Sequence, residues 1–120
     1  MKILVLGGAG FIGKVLIEKL IIEKYLVHSF DTKLLDLKNP NFKQTQGNIS
    51  EISNYKKIFK DIDFVFHFAA ISSLEYASKN PELTVNTNIL STIKILKLCK
   101  ANKVKKFFFS SSLYVNGNKG

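Results

Sequence analysis

A short apolar run, Ile3–Leu6, leads directly into the glycine-rich segment GGAGFIG at residues 7–13. A run of this length that ends at glycine is typical of a buried strand. After the glycines, the four-residue spacing of Ile12, Leu16 and Leu20 predicts the inward face of a helix over 11–24. A strand that turns through glycines into a helix begins a β–α–β unit, which requires parallel strands.

The rest of the chain repeats this alternation. A polar loop is expected over 32–41, and helices over Ser50–Lys60 and from Pro81 onward, the last with a buried stripe of Ile89, Ile93 and Leu96. The apolar run Phe107–Phe109 predicts a strand that is buried on both faces. Together with the first strand, the expected strands are Leu26–Phe30, Phe42–Gln46, Ile62–Phe68 and Val104–Phe109.

Helical crossovers between parallel strands are right-handed almost without exception. The sequence therefore predicts one α/β domain over 1–120, a doubly wound Rossmann-type parallel sheet of about five strands in the order 3-2-1-4-5. In such a sheet, ligands bind at the carboxyl ends of the strands, near the point where the strand order reverses.

Composition excludes several classes of protein. A hydrophobic content of 46% rules out disorder, and no apolar stretch reaches the roughly 20 residues of a membrane span. The lone Cys99 excludes an internal disulfide and a cysteine-built metal site, so we expect no metal and a cytoplasmic location. The net charge of +9 comes from lysine without any arginine, which favours a solvated surface over a nucleic-acid footprint.

The glycine spacing indicates a dinucleotide site, since it lies between a predicted strand and a predicted helix. Gly7 makes the turn out of the strand, Gly10 leaves room for a pyrophosphate, and Gly13 lets the helix approach the strand closely. Free N–H groups at the helix start would then bind the anion. The alternative is a plain tight turn.

Asp31 supports the dinucleotide hypothesis. It ends the second predicted strand, 18 residues after Gly13, where a carboxylate is expected to bind the ribose hydroxyls. A carboxylate repels a 2′-phosphate, so NAD is favoured over NADP, although Lys33 weakens this preference. The alternative for Asp31 is an ordinary turn residue.

Six segments in register resemble the amino-terminal part of the extended short-chain dehydrogenase/reductase family, the NAD-dependent epimerases and dehydratases. The similarity is greatest to the UDP-glucose 4-epimerase type, because FSSS followed by xxVxG is shared. The segments are GGAGFIG at 7–13, Asp31, GNI at 47–49, DFVFHFAA at 63–70, NPELTVNTNILST at 80–92 and FFFSSSLYVNG at 107–117.

The resemblance implies a role for each matching residue. Phe11 and Ile12 would donate backbone N–H groups to the pyrophosphate, and Asn48 and Ile49 would contact the adenine. A wall beside the cofactor would come from Phe68, Ala69 and Ala70.

Further implied roles concern the active site. Asn88 would support it, Ser110 would line the strand end, and Ser112 would be the catalytic hydroxyl that hydrogen-bonds the substrate. The serines could instead cap the strand, and Asn88 could simply be exposed. His67 is expected to be a packed polar residue rather than a base.

The family's catalytic Tyr-x-x-x-Lys is missing, since neither Tyr76 nor Tyr114 is followed by lysine four residues on. We therefore expect an amino-terminal fragment that lacks the substrate domain and does not catalyse epimerisation alone. Its full-length form would be a homodimer that acts on a nucleotide sugar, without nucleic-acid or membrane partners. The alternative is a non-catalytic NAD-binding or sensing module.

Overall fold

The computed structural model describes residues 1–112, 115 and 117. Tyr114 and Asn116, which belong to the last of the family-like segments, lie outside the described residues. A five-stranded parallel sheet confirms the predicted order, β3-β2-β1-β4-β5. Its strands are β1 (Lys2–Leu6), β2 (Leu26–Asp31), β3 (Phe42–Gln46), β4 (Phe64–His67) and β5 (Lys106–Phe109).

Helical segments connect the strands as crossovers. Helix α1 (Phe11–Ile22) connects β1 to β2, and a kinked 3₁₀ segment (Ile49–Phe59) connects β3 to β4. Between β4 and β5 lie α2 (Leu74–Lys79), α3 (Pro81–Val85), a π turn (Asn86–Leu90) and α4 (Ser91–Ala101). Helix α2 was not predicted from the sequence, although Ser73 accepts a hydrogen bond from the Tyr76 N–H and so caps this helix.

The core consists of two layers because successive side chains of a strand point to opposite faces of the sheet. On one face, Leu4 and Leu6 pack with Phe30, Phe59 and Ile95, which are each fully buried. On the other face, Ile3 and Val5 pack against a cluster that includes α1 and the neighbouring strands. The central strand β1 therefore has its apolar residues buried on both sides.

Helix α1 buries a face that differs in part from the predicted one. Ile12 was expected on the inward stripe, but it is 56% exposed. Gly13 and Ile17 are the buried residues of the helix, and Leu16 and Leu20 pack beside them. The inward face is set by Gly13, because only a residue without a side chain fits where α1 meets the turn after β1.

The predicted buried stripe of α4 is wrong. Ile89, Ile93 and Leu96 are each about half exposed, whereas the buried residues are Thr87, Ser91, Ile95 and Cys99. Small polar residues can occupy this face because their hydroxyls are satisfied within the helix: the Ser91 hydroxyl donates to the Asn86 carbonyl over 2.9 Å. The pattern of hydrophobic residues alone therefore does not reveal that this face is buried.

The expectation that β5 is buried on both faces is also wrong. Phe108 and Phe109 are 40% and 58% exposed, because β5 is the edge strand and pairs with β4 on one side. The Phe108 ring stacks on Phe66 with 4.4 Å between centroids. Phe107, on the opposite face, is half-buried and packs against the core.

Asp63 joins three strands at the amino-terminal edge of the sheet. Its carboxylate accepts the Lys2 N–H over 2.8 Å and pairs with the Lys105 ammonium over 2.6 Å. The hydrogen bond from Lys105 is the main cause that lowers the pKa of Asp63, and the Lys2 N–H adds to it. The residue lies at the end of the strands opposite to their carboxyl termini, so its role is structural.

Gly13 brings α1 into contact with the turn that follows β1. A Cβ at this position would overlap the Gly7 carbonyl oxygen and lie 2.8 Å from the Gly8 Cα, and both are backbone atoms. Backbone cannot rotate away as a flexible side chain can, so the helix would have to move.

We expect Gly13→Ala to lower the free energy of unfolding by about 2 kcal/mol, the usual cost of overpacking, despite the better helix propensity of alanine. The matched control is Gly10→Ala, where the added Cβ would meet only the Gly7 oxygen at 3.3 Å. Urea denaturation of both variants measures the difference. Equal stability of the two variants would contradict the close packing at Gly13.

Candidate functional site

A cavity of about 510 Å³ opens at the carboxyl ends of β1 to β4. It lies where the strand order reverses between β1 and β4, the position at which doubly wound sheets bind ligands. Its size is within the range of small-molecule sites. The lining comes from four strand ends and the helices after β4: Gly7, Gly10, Phe30–Thr32, Gly47–Ile49, Phe68–Ser73, Tyr76, Leu83 and Thr87.

The turn after β1 is closed tightly against the end of β4. Gly7 has a φ of +87°, which favours glycine, and a Cβ there would lie 2.6 Å from the Ala69 nitrogen. The Gly7 N–H donates to the Phe30 carbonyl over 2.9 Å, which ties the turn to β2 as well. Gly8, for which no role was predicted, is also confined: a Cβ there would overlap the Ser29 hydroxyl.

The start of α1 presents free N–H groups. Gly10 is the N-cap residue and provides no side-chain cap, and the first turn contains no acidic residue. The N–H groups of Phe11, Ile12 and Gly13 lie in the first turn, where a helix offers no carbonyl acceptor. The side chains of Phe11 and Ile12 are exposed, so any contribution to the cavity comes through their backbone. Such a terminus attracts an anionic group.

Asp31 lines the cavity and also holds the glycine turn. Its Oδ2 accepts the Ala9 N–H over 2.9 Å, and its Oδ1 accepts the Lys33 N–H over 3.2 Å. Oδ1 also accepts the Thr32 hydroxyl over 3.3 Å. A carboxylate has about four acceptor positions, two on each oxygen, so the position that remains for a ligand is on Oδ2. The sequence predicted the carboxylate at this edge but gave no sign of its bond to Ala9.

Asn48 and Ile49 form the wall that follows β3. The Asn48 Oδ1 accepts the Ser50 N–H over 3.0 Å, so this side chain caps the 3₁₀ segment while it lines the cavity. Ile49 is 5% exposed and belongs to the core. Gly47 lies against Phe30 and Tyr55, and a Cβ there would be 2.7 Å from each ring.

Phe68, Ala69 and Ala70 line the cavity after β4, where the sequence placed them. The N–H groups of Phe68 and Ala69 both donate to the Leu6 carbonyl, over 2.8 and 3.0 Å. The cavity also includes Leu83 and Thr87, which the sequence analysis missed. Their four-residue spacing places both on one helix face, which is the signal that could have found them.

Asn88 lies behind this wall rather than in it. Its side-chain amide makes two hydrogen bonds to the backbone of Ile71: the Ile71 N–H donates to Oδ1 over 2.8 Å, and Nδ2 donates to the Ile71 carbonyl over 2.9 Å. The described lining of the cavity does not include Asn88, although it includes Ile71. Asn88 therefore contacts the loop that lines the cavity, and its support of the active site stays a prediction.

Ser110 and Ser112 follow β5 at the same edge of the sheet and are exposed. The Ser110 N–H donates to the His67 carbonyl over 3.3 Å, and the Ser112 carbonyl accepts the Val115 N–H over 3.2 Å. Neither serine is among the described lining residues of the cavity, so the structure does not bring them together with Gly10 and Asp31. A catalytic role for Ser112 stays a prediction.

His67 is packed, as the sequence analysis expected. It is 3% exposed, and its Nε2 lies 3.0 Å from the Thr92 hydroxyl oxygen. Burial lowers its pKa from 6.5 to about 4, so the ring is neutral near pH 7. Among the described residues, its buried Nδ1 has no hydrogen-bond partner. Cys99 is buried as well, and burial raises the pKa of its thiol to about 11, which makes it unreactive.

The model of the NAD dependent epimerase/dehydratase family matches residues 3–120. This chain belongs to that family. The Haemophilus influenzae D-erythronate dehydrogenase is 33% identical over 126 residues, which cover 98% of this chain and 39% of that enzyme. The Lactobacillus helveticus UDP-glucose 4-epimerase is 34% identical, over 98% of this chain and 37% of its own length.

Solved structures of family members have the same fold. The UDP-glucose 4-epimerase of Thermotoga maritima, determined with UDP-glucose, is 34% identical with a TM-score of 0.85, over 93% of this chain and 38% of that one. The Thermus thermophilus UDP-glucose 4-epimerase in complex with NAD is 28% identical with a TM-score of 0.81, over the same shares of the two chains. This chain therefore spans less than half the length of these relatives.

Neither a membrane span nor a metal centre is found in the described part of the chain. None of its helices has the length and apolar character needed to cross a bilayer. Its His, Cys, Asp and Glu side chains form no group of three that could hold a metal ion.

The buried, neutral His67 predicts a pH-dependent stability. Its folded pKa of about 4 lies below the unfolded value of 6.5, so the unfolded chain takes up the proton first as the pH falls. Its contribution is therefore complete above pH 6.5 and is lost on acidification. Between pH 7 and pH 5, the free energy of unfolding of the wild type should fall by about 2 kcal/mol relative to that of His67→Gln, which does not titrate at this position. Urea denaturation at each pH measures this difference, and parallel pH profiles would contradict it.

Proposed function

We propose that this chain forms the NAD-binding part of an epimerase or dehydratase that acts on a nucleotide sugar, of the UDP-glucose 4-epimerase type. The observation that carries the proposal is the order of groups around one cavity. The start of α1 lies at the end of β1, the Asp31 carboxylate at the end of β2, and Asn48 with Ile49 after β3. This order corresponds to the pyrophosphate, ribose and adenine of a dinucleotide.

The pyrophosphate would lie against Gly10 and the first turn of α1. Gly10 leaves bare backbone at the cavity, and the N–H groups of Phe11 and Ile12 would donate to the phosphate oxygens. The absence of an acidic residue from this turn removes a competing anion. The fixed Gly7 turn keeps these donors in place before the ligand arrives.

The adenosine would lie between Asp31 and the wall after β3. The Asp31 carboxylate would accept a hydrogen bond from a ribose hydroxyl at Oδ2 while it continues to hold the Ala9 N–H. Ile49 offers an apolar surface to the adenine, and Asn48 lies beside it. A 2′-phosphate would lie next to the carboxylate, so we expect NAD to bind better than NADP.

When bound, NAD accepts a hydride from a carbon of the substrate and can return it. The chain's own residues orient that cofactor, and Ser112 would bind a substrate hydroxyl near it. The Thermotoga maritima relative was solved with UDP-glucose, which supports a nucleotide sugar as the substrate class. We further propose that the complete protein is a cytoplasmic homodimer.

The function is tested by calorimetry with NAD and NADP. Asp31→Asn keeps an acceptor for the Ala9 N–H but loses the charge, so NAD affinity should fall by about 1–3 kcal/mol, the value of a charged hydrogen bond. The preference for NAD over NADP should narrow in the same variant. Asp36→Asn is the matched control, because Asp36 is exposed and lines a separate, smaller cavity.

Equal NAD affinity of Asp31→Asn and the wild type would remove Asp31 from the site. Absence of NAD binding to the wild type would contradict the proposed function as a whole. NAD binding by the complete protein without any turnover of a nucleotide sugar would instead favour a non-catalytic NAD-binding module.

A further inference from the structure

A continuous series of hydrogen bonds runs from the end of β4 to the wall of the cavity. His67 contacts the Thr92 hydroxyl over 3.0 Å, and that hydroxyl donates to the Asn88 carbonyl over 2.7 Å. The Asn88 side chain then holds the N–H and the carbonyl of Ile71. Ile71 lies in the loop 69–73, all of which lines the cavity.

The direction of each hydrogen bond follows from its neighbours. A backbone carbonyl accepts only, so the single hydroxyl proton of Thr92 must go to Asn88. The Thr92 oxygen is then an acceptor, and His67 must be protonated at Nε2. Nδ1, for which the described part of the chain provides no hydrogen-bond partner, is the bare nitrogen of that tautomer. A buried ring nitrogen without a hydrogen-bond partner destabilises the folded state, so the presence of His67 at this position needs an explanation.

The helix that contains Thr92 is irregular where the series crosses it. The π turn Asn86–Leu90 shifts the hydrogen-bond register and precedes two hydroxyl residues, Ser91 and Thr92. The hydroxyl of Ser91 donates to the Asn86 carbonyl, and that of Thr92 to the Asn88 carbonyl. Asn88 is thus held through its main chain by Thr92 and is left to use its side chain on Ile71.

We infer that His67 and Thr92 are positioning residues of the cavity, which act through Asn88 on the backbone of Ile71 and so fix the wall formed by loop 69–73. The inference rests on the proposed function, because the ligand of this cavity is taken to be NAD. Neither residue is among the described lining of the cavity, so neither acts by contact with the ligand.

Loop 69–73 depends on the two hydrogen bonds from the Asn88 side chain because it lies between two fixed ends. At one end, Ala69 is fixed by its bond to the Leu6 carbonyl, and at the other Ser73 caps α2. Midway between them, both backbone polar groups of Ile71 are satisfied by Asn88. Release of Asn88 would let Ile71 and its neighbours move into or away from the cavity.

The test compares Thr92→Val, which removes the hydroxyl at nearly constant volume, with Thr92→Ser, which keeps it. In Thr92→Val, amide hydrogen exchange at Ile71 should accelerate about tenfold and the NAD dissociation constant should rise about 5- to 20-fold, as for loss of one or two buried hydrogen bonds. Thr92→Ser should restore both values to within about twofold of wild type. The amides of Val5 and Val65, in the buried centre of the sheet, report global stability.

Wild-type behaviour of Thr92→Val in either measurement would overturn the inference. Absence of NAD binding to the wild-type chain would instead overturn the proposed function. In that case, Ile71 exchange in Thr92→Val would still test the positioning of the loop: faster exchange would support it, and unchanged exchange would overturn it. A second measurement uses the wild type alone and so does not depend on the folding of a variant. Because coupling is reciprocal, saturating NAD should slow Ile71 exchange, by up to the factor seen at Val5, whose opening by global unfolding releases all bound NAD; unchanged Ile71 exchange would overturn the inference.

Discussion

The close approach of bare backbone at the turn after β1 is the constraint on which the rest of the structure depends. Gly7 contacts the end of β4, and Gly13 contacts Gly7 from the first turn of α1. A Cβ at either position would separate a helix from the sheet or one strand from its neighbour. Asp31 adds a third connection through the Ala9 N–H. The free N–H groups of α1 are therefore fixed in place by packing before any ligand binds.

The order of the strands places the glycine turn at the centre of the candidate site. Because β2 and β4 both flank β1, the carboxyl ends of three adjacent strands meet around the glycine turn. Asp31 and the loop 69–73 face the turn from its two sides, and each is held by hydrogen bonds that do not involve a ligand. A cavity whose walls are fixed in this way binds with a smaller loss of conformational entropy.

The sequence predicted the parts of the fold that follow from periodicity and from glycine spacing. The strand order is confirmed. Gly7, Asp31 and Ala69 line one cavity, and their contacts with a cofactor stay predictions. The sequence did not predict which face of α4 is buried, because Ser91 satisfies its hydroxyl within the helix. The series from His67 to Ile71 was also out of reach, since it joins side chains to main-chain atoms far apart in sequence.

The most direct test of the central claim is an NMR titration of the isotope-labelled chain with NAD. The account predicts that the largest amide shifts fall on Gly10, Phe11 and Ile12, with further shifts at Asp31 and in the loop 69–73. Amides of the amino-terminal edge, such as that of Asp63, should not move. Shifts confined to other surfaces, or none at saturating NAD, would show that the backbone after β1 does not receive the phosphates and would contradict the account.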